Sequence, residues 1–384
     1  MSESSDECEA KSGEIIAGNK DLSNEIFIRL PATYLVQCSW VSKTWFSFLS
    51  DPTFIQRHTL VQPPSLSGLF LIPRHNSHPK KVHFLSLNQR QPKFLCSDFL
   101  NSRRFQIVDS CNGLLICHSQ ESGDYTICNP TTRKVKILPK CFQIGNGEFA
   151  LKLVWDPLIS THYKVVHIQK VNGHNGLYEI SQYSSRNGEW TPSKQPVFVP
   201  ENMNLKSGVF CNNAIHWVKN KLGSYLELNT MTVRDMPELP RKEQFHYNIK
   251  FKYFGKSQGS LFYVITNLLQ HCLELYQMKE HYSGWDFKYR VDLDVLKPTF
   301  MIMGRRHWGF PTQFSECEND VLAINGASSD ESLEIVLSIP GQVIVLHFES
   351  ITASIPYPVF RYADEPIWLR IHSAFQFFET LSLV

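Results

Sequence analysis

YTICNPTTRKVKILP, residues 125–139, is a strand, a polar turn, a second strand and an apolar residue followed by proline. Asn129 and Pro130 make the turn, the one by bonding its own backbone and the other by fixing φ. The phrase recurs as YEISQYSSRNGEWTPSKQPVFVP (178–200), YLELNTMTVRDMPELP (225–240) and VIVLHFESITASIPYP (343–358), with LELYQMKEHYSGWDFKYRVDL (273–293) as a variant. Another strand pair precedes each, as in SCNGLLICHS (110–119) and GVFCNNAIHWV (208–218), where Asn112-Gly113 supplies the freedom of a tight turn. Units of four short strands repeating every roughly 45 to 52 residues are propeller blades, which cannot cover both faces alone but can when stacked. The reading from residue 66 to 384 is a large all-β domain, a β-propeller of about six blades, with seven possible. Trp155, Trp190, Trp217 and Trp285 recur in or beside these phrases and are expected to pack between blades.

Upstream of residue 60 the apolar period changes from two to three-or-four. Leu22, Ile26 and Leu30 precede Pro31, which ends a helix; Leu35, Cys38, Val41, Trp45 and Leu49 follow at helical spacing. Ser50 or Asp51 before Pro52 is a cap and first turn for a third helix carrying Phe54 and Ile55. The expectation is a polar tail over 1–17 and a small all-α module over 18–60, too small to bury all its apolar faces without a neighbour.

The 384 residues are 42% hydrophobic and carry a net charge of +2, with basic residues only in pairs such as Lys80-Lys81, Arg103-Arg104 and Arg305-Arg306. No stripe for nucleic acid emerges. No apolar run approaches the roughly 20 residues that span a bilayer, and the first residues are polar and acidic, so no membrane role is expected. Ten cysteines are scattered with no CxxC pair, and the one glycosylation sequon, Asn129-Pro130-Thr131, is blocked by proline. Free thiols in a reducing compartment, cytoplasm or nucleus, are expected, with Cys111 and Cys117 as small buried hydrophobes.

Two apparent catalytic signals fail. Gly255-Lys256-Ser257-Gln258-Gly259 matches a nucleophile elbow, but Leu261 to Ile265 read as a strand where the elbow needs a helix. The same glycine-lysine-serine run lacks the glycine a phosphate loop requires at position 250, which is lysine. His75 and His78 lie three apart in a Pro-rich loop with no second ligand pair, so neither metal nor cofactor is expected. For a partner, Gly304 to Pro311 is the best candidate: Arg305, Arg306 and Trp308 have the composition of an interface hot spot, against the alternative of an insertion folded back on its blade.

Residues 21–54 resemble an F-box, the segment that docks substrate receptors on the Skp-family adaptor of SCF-type ubiquitin ligases. The series is Asp21-Leu22, Glu25-Ile26, Arg29-Leu30-Pro31, Leu35, Val41, Lys43, Trp45, Leu49-Ser50-Asp51-Pro52 and Phe54. Departures are Gly18-Asn19 for the usual opening Leu-Pro, Ser42 for cysteine, and Trp40. SCNGLLICHS, YTICNPTTRKVKILP, LVWDPLISTHYKVVHI (153–168), GVFCNNAIHWV, YSGWDFKYRVDL and ETLSLV (379–384) resemble, in order, the plant F-box-associated domain, which is propeller-like and kelch-related.

The resemblance implies a non-catalytic substrate-recognition subunit without cofactors. Leu22, Ile26, Leu30, Pro31, Leu35, Val41 and Trp45 would bind the adaptor, and through it cullin and RING subunits; the β-domain would hold an unidentified protein. Two alternatives remain: a binding scaffold with a degenerate F-box, and a propeller hydrolase using Ser257.

Overall fold

Side chains of a strand buried on both faces must satisfy two neighbours, so short strands apolar on both sides stack as sheet on sheet. In the computed structural model the described residues are 19–73, 81–87, 96–141, 148–200, 203–219, 222–238, 249–267, 272–293, 320–326, 333–339, 342–348, 352–354 and 371–384. Four helices come first: α1 (Lys20–Phe27), α2 (Ala32–Cys38), α3 (Lys43–Leu49) and α4 (Pro52–Val61). Next are β1 (Leu66–Pro73), β2 (His83–Ser86) and α5 (Cys96–Ser102).

The first blade is β3 (Phe105–Cys111), β4 (Leu114–Ser119), β5 (Tyr125–Asn129) and β6 (Lys134–Ile137). The second is β7 (Phe149–Val154), β8 (Lys164–Lys170), β9 (Leu177–Ser184) and β10 (Glu189–Pro192), with β11 (Val197–Phe198) added beside β9. The third is β12 (Val209–Cys211), β13 (Ala214–Lys219), β14 (Leu222–Glu227) and β15 (Thr232–Asp235). The fourth is β16 (Ile249–Ser257), β17 (Ser260–Asn267), β18 (Cys272–Met278) and β19 (Trp285–Asp292). The fifth is β20 (Asp320–Asn325), β21 (Glu334–Ile339), β22 (Gln342–His347) and β23 (Thr352–Ser354). The sixth joins the two ends of the domain: β1 lies between β2 and β24 (Ile371–Phe378), with Leu66 opposite Phe378 and Pro73 opposite Ile371.

Strands β3, β7, β12, β16, β20 and β24 touch in that order, and β24 returns to β3, closing a six-bladed β-propeller. Each blade interface has its own apolar cluster. Ile116 and Ile127 meet Leu153, Val165 and Tyr183 between the first and second blades. Ile168 and Ile180 meet Ile215 and Trp217 between the second and third. Leu115 and Cys117, of opposite parity to Ile116, face Phe70 and Phe377 of the closing blade. Among the described residues no helix is long and apolar enough to cross a membrane.

The helical module has four helices where the spacing predicts three. The break falls at Ser42, whose hydroxyl accepts from the backbone N–H of Trp45 at 3.1 Å and so caps a new helix. Asn19 caps α1 by accepting from Asp21 and Leu22, and Asp51 caps α4, with Pro52 in its first turn. The residues that depart from the F-box pattern at 19 and 42 thus hold helix starts. Phe27, Leu35, Val36, Leu49, Phe54 and Ile55 form the module's core, and His58 Nε2 is 2.7 Å from the carbonyl of Leu30, tying α4 to the Pro31 turn.

Candidate functional site

The module leaves large apolar side chains in solvent. Leu22 is 45% and Ile26 44% exposed, one helical turn apart on α1; Trp40 and Val41 are each 69% exposed in the turn before α3. Pro31 is also exposed, whereas Leu30 and Trp45 are half-buried, the latter edge-on to Phe27 with ring centroids 4.8 Å apart. Leu35, expected on the docking face, is fully buried in the module's core, because the Leu35–Val36 side of α2 packs with Phe27, Leu49 and Phe54 of the other helices. Trp40 and Phe46, not singled out as docking residues, belong to the exposed set. Two apolar residues directly before a capping serine are the signal that marks residues 40 and 41.

Strand β1 runs antiparallel to β24, so the chain enters the propeller on the face where the inner strands end. The central channel, about 1380 Å³, is lined by inner-strand residues, and Pro63 to Leu66 lie at its module-side mouth. Within it Lys152 Nζ sits 2.5 Å from Asp109 Oδ1, while Asp109 Oδ2 accepts from the N–H of Leu153 and Lys152 reaches the carbonyl of Lys206. Burial pushes the Asp109 carboxyl up and the ammonium of Lys152 counters it. The pair ties the first, second and third blades together.

Ser257 stands in a strand–turn–strand. Gln258 and Gly259 have φ of 42° and 80°, a two-residue hairpin, and β17 follows at once. Its hydroxyl donates to the carbonyl of Gly326 on the fifth blade at 3.0 Å. Cys111 and Cys211 occupy the same place at the ends of β3 and β12, donating to the carbonyls of Trp155 and Gly259 at 3.2 Å each. Burial pushes these thiols up to about 12 and about 11, so they stay protonated and able to donate. Ser257 is therefore an inter-blade latch in a hairpin turn, followed by the strand that the sequence predicts and not by the helix a nucleophile elbow needs.

Two of the tryptophans bridge blades by hydrogen bonds in the same way. Trp190 Nε1 donates to the carbonyl of Pro139, and Trp285 Nε1 to that of Pro237, each at 2.8 Å and each reaching the preceding blade's apolar-proline ending. Trp217 donates to Leu205, whereas Trp155 bonds Ser160 within its own loop. Cys38, Cys111, Cys117, Cys128, Cys141, Cys211 and Cys272 are free thiols. Among the described residues no group of three or more His, Cys, Asp or Glu could hold a metal. Arg305, Arg306 and Trp308, like His75 and His78, lie outside the described residues.

Residues 379–384 run from β24 to the helical module. Glu379 Oε2 accepts from the buried hydroxyl of Thr33 on α2 at 2.9 Å, and Leu381 belongs to the module's core. From the propeller, Asn129 Nδ2 donates to the carbonyls of Thr380 and Ser382 at 3.0 and 2.9 Å, and the N–H of Thr380 donates to Thr131 Oγ1 at 3.3 Å.

Residues 68–217 match the family described as the F-box associated beta propeller domain. F-box protein At5g07610 of Arabidopsis thaliana is 29% identical over 371 residues, covering 88% of this chain and 85% of its own. F-box protein CPR1 of the same plant is 25% identical over 244 residues, covering 56% and 57%. With a capped helical module leading into a closed six-bladed ring, the chain is similar over most of its length to plant F-box proteins, and its residues 68–217 match the propeller domain associated with them.

Proposed function

We propose that this chain is the target-recognition subunit of an SCF-type ubiquitin ligase in the cytoplasm or nucleus, its helical module docking on a Skp-family adaptor and, through it, on cullin and RING subunits. The observation that carries this reading is that Leu22, Ile26, Trp40 and Val41 are left in solvent by a module whose own core is already filled. Burying such side chains on a partner is worth roughly 1.5 to 3 kcal/mol each. The chain does no chemistry of its own; holding an acceptor lysine near a charged conjugating enzyme raises its effective concentration.

Target capture falls to the face away from the module. Arg305, Arg306 and Trp308 are the candidate target-binding residues on the sequence pattern alone, because they lie outside the described residues. Replacing Leu22, Ile26 and Val41 together with aspartate is expected to abolish co-purification with the adaptor while leaving the melting temperature of the chain unchanged. Retained co-purification would overturn the reading and favour a binding scaffold that takes no part in ubiquitylation.

A further inference from the structure

We infer that residues 379–384 are a positioning strap that locks the helical module onto the first blade, and so fix where a captured target stands relative to the ligase; the second half of the statement rests on the function proposed above. The covalent link between the two parts, residues 62–65, is short, but one backbone crossing leaves a module free to swing about it. What removes that freedom is the segment after β24. Its middle is buried: Thr380, Leu381 and Ser382 are 4, 7 and 5% exposed.

Its two sides have different chemistry. Toward the module it offers one carboxylate to Thr33 and one leucine to the core of Phe27, Leu35 and Phe54. Toward the propeller its backbone is held by the turn of the first blade. Asn129, itself fully buried, spends its Oδ1 on the N–H groups of Thr131 and Thr132 and its Nδ2 on the two carbonyls of the strap, satisfying both halves of the amide. The hydroxyl of Thr380 turns back on Ser382 at 2.8 Å, and Val384 packs against the cluster between the first and second blades.

Gly113 makes the passage possible. Its φ is +98°, and a Cβ there would stand 2.5 Å from the carbonyl oxygen of Phe378 and 2.6 Å from Thr380 Cγ2. The phrases SCNGLL and YTICNPTT are thus built into one receptacle for ETLSLV, some 250 residues further along. None of Leu22, Ile26, Trp40 and Val41 takes part, so the strap can be altered without touching the proposed docking residues.

The test uses the full chain in four forms: parent, the two variants Leu381→Asp and Thr33→Val with Glu379→Gln, the latter removing the module-side bond without adding charge to the core, and Thr33→Ser as a control. Hydrogen exchange on the chain alone reads the link. Exchange at the link amides of Gln62, Ser65 and Leu66, Pro63 and Pro64 having none, is expected to rise at least about tenfold in both variants, with β4 and β17 unchanged. The second arm reconstitutes the chain with adaptor, cullin–RING, activating and conjugating enzymes and ubiquitin, and maps by mass spectrometry which of its own lysines are modified. The parent is expected to be modified on a restricted set and the variants on a wider one, at equal adaptor affinity, with Thr33→Ser retaining the parent pattern. Exchange at these link amides within about twofold of the parent in both variants would overturn the strap, and an unchanged lysine set would overturn its positioning role. Loss of adaptor binding by the parent itself would count against the proposed function alone, because the exchange arm needs no adaptor.

Discussion

Three blades end their inner strand on a side chain that donates to the backbone of the next blade, and in two of them that side chain is cysteine. Ser257 is the third, so its presence inside a serine-hydrolase signature is a coincidence of turn chemistry. Ser257→Cys is expected to change the urea midpoint little, whereas Ser257→Ala leaves the Gly326 carbonyl without its donor and should cost about 1 kcal/mol by equilibrium unfolding. The Asp109–Lys152 pair is less forgiving. Lys152→Met strands a buried carboxylate and should cost about 3 to 5 kcal/mol, while adding Asp109→Leu recovers much of the loss because the uncompensated charge is gone. From sequence, neither residue could be picked: lysine and aspartate 43 positions apart become partners only once two inner strands lie side by side.

At the scale of elements, the repeated phrases that begin at 125, 178, 225, 273 and 343 are the two outer strands of five successive blades. Their legibility has a physical cause, since an outer pair must solve one problem five times: turn tightly, alternate, and hand the chain on through proline. Inner strands were harder to read, being short as in β12 or carrying register shifts, as between Ile107 and Asp109 and between Phe251 and Tyr253. Apolar spacing predicts three helices where four form because that spacing survives a break: Val41 keeps step with Leu35 and Trp45 although it sits in a turn. Ser42→Ala should therefore destabilise α3 by about 1 kcal/mol through the lost cap, seen as a lower melting temperature for the helical signal. Ser42→Cys tests whether the residue more usual at this place caps as well. Gly113→Ala combines a strained φ with a clash against Phe378, and is expected to lower stability and loosen residues 379–384 together, read by hydrogen exchange.

For the molecule as a whole, the ring's buried histidines set its behaviour toward acid. Burial pulls both His167 and His216 down to about 4; His216 stays neutral while bonded to the Val209 carbonyl and the Tyr282 hydroxyl. An unfolded chain takes up these protons near pH 6.5 and the folded one only near pH 4. Below pH 6.5 the unfolded state binds more protons, so stability falls as pH drops toward 4 and levels off beneath it. A melting temperature that declines across this window, with part of the decline removed by His216→Gln, is the expected result. That the fold is a ring was legible from the repeat; that its ends meet was not, because the pairing of Leu66 with Phe378 spans nearly the whole domain.

This closure has a consequence for how the protein is made. During synthesis β1 emerges early but must wait for residues 371–378 before its open edge is paired, and nearly all of the propeller is translated in between. A stalled or truncated chain therefore shows a long apolar edge, Leu66 to Ile72, to whatever is near. Unfinished copies are marked for chaperones and clearance by the same strand that completes the finished one.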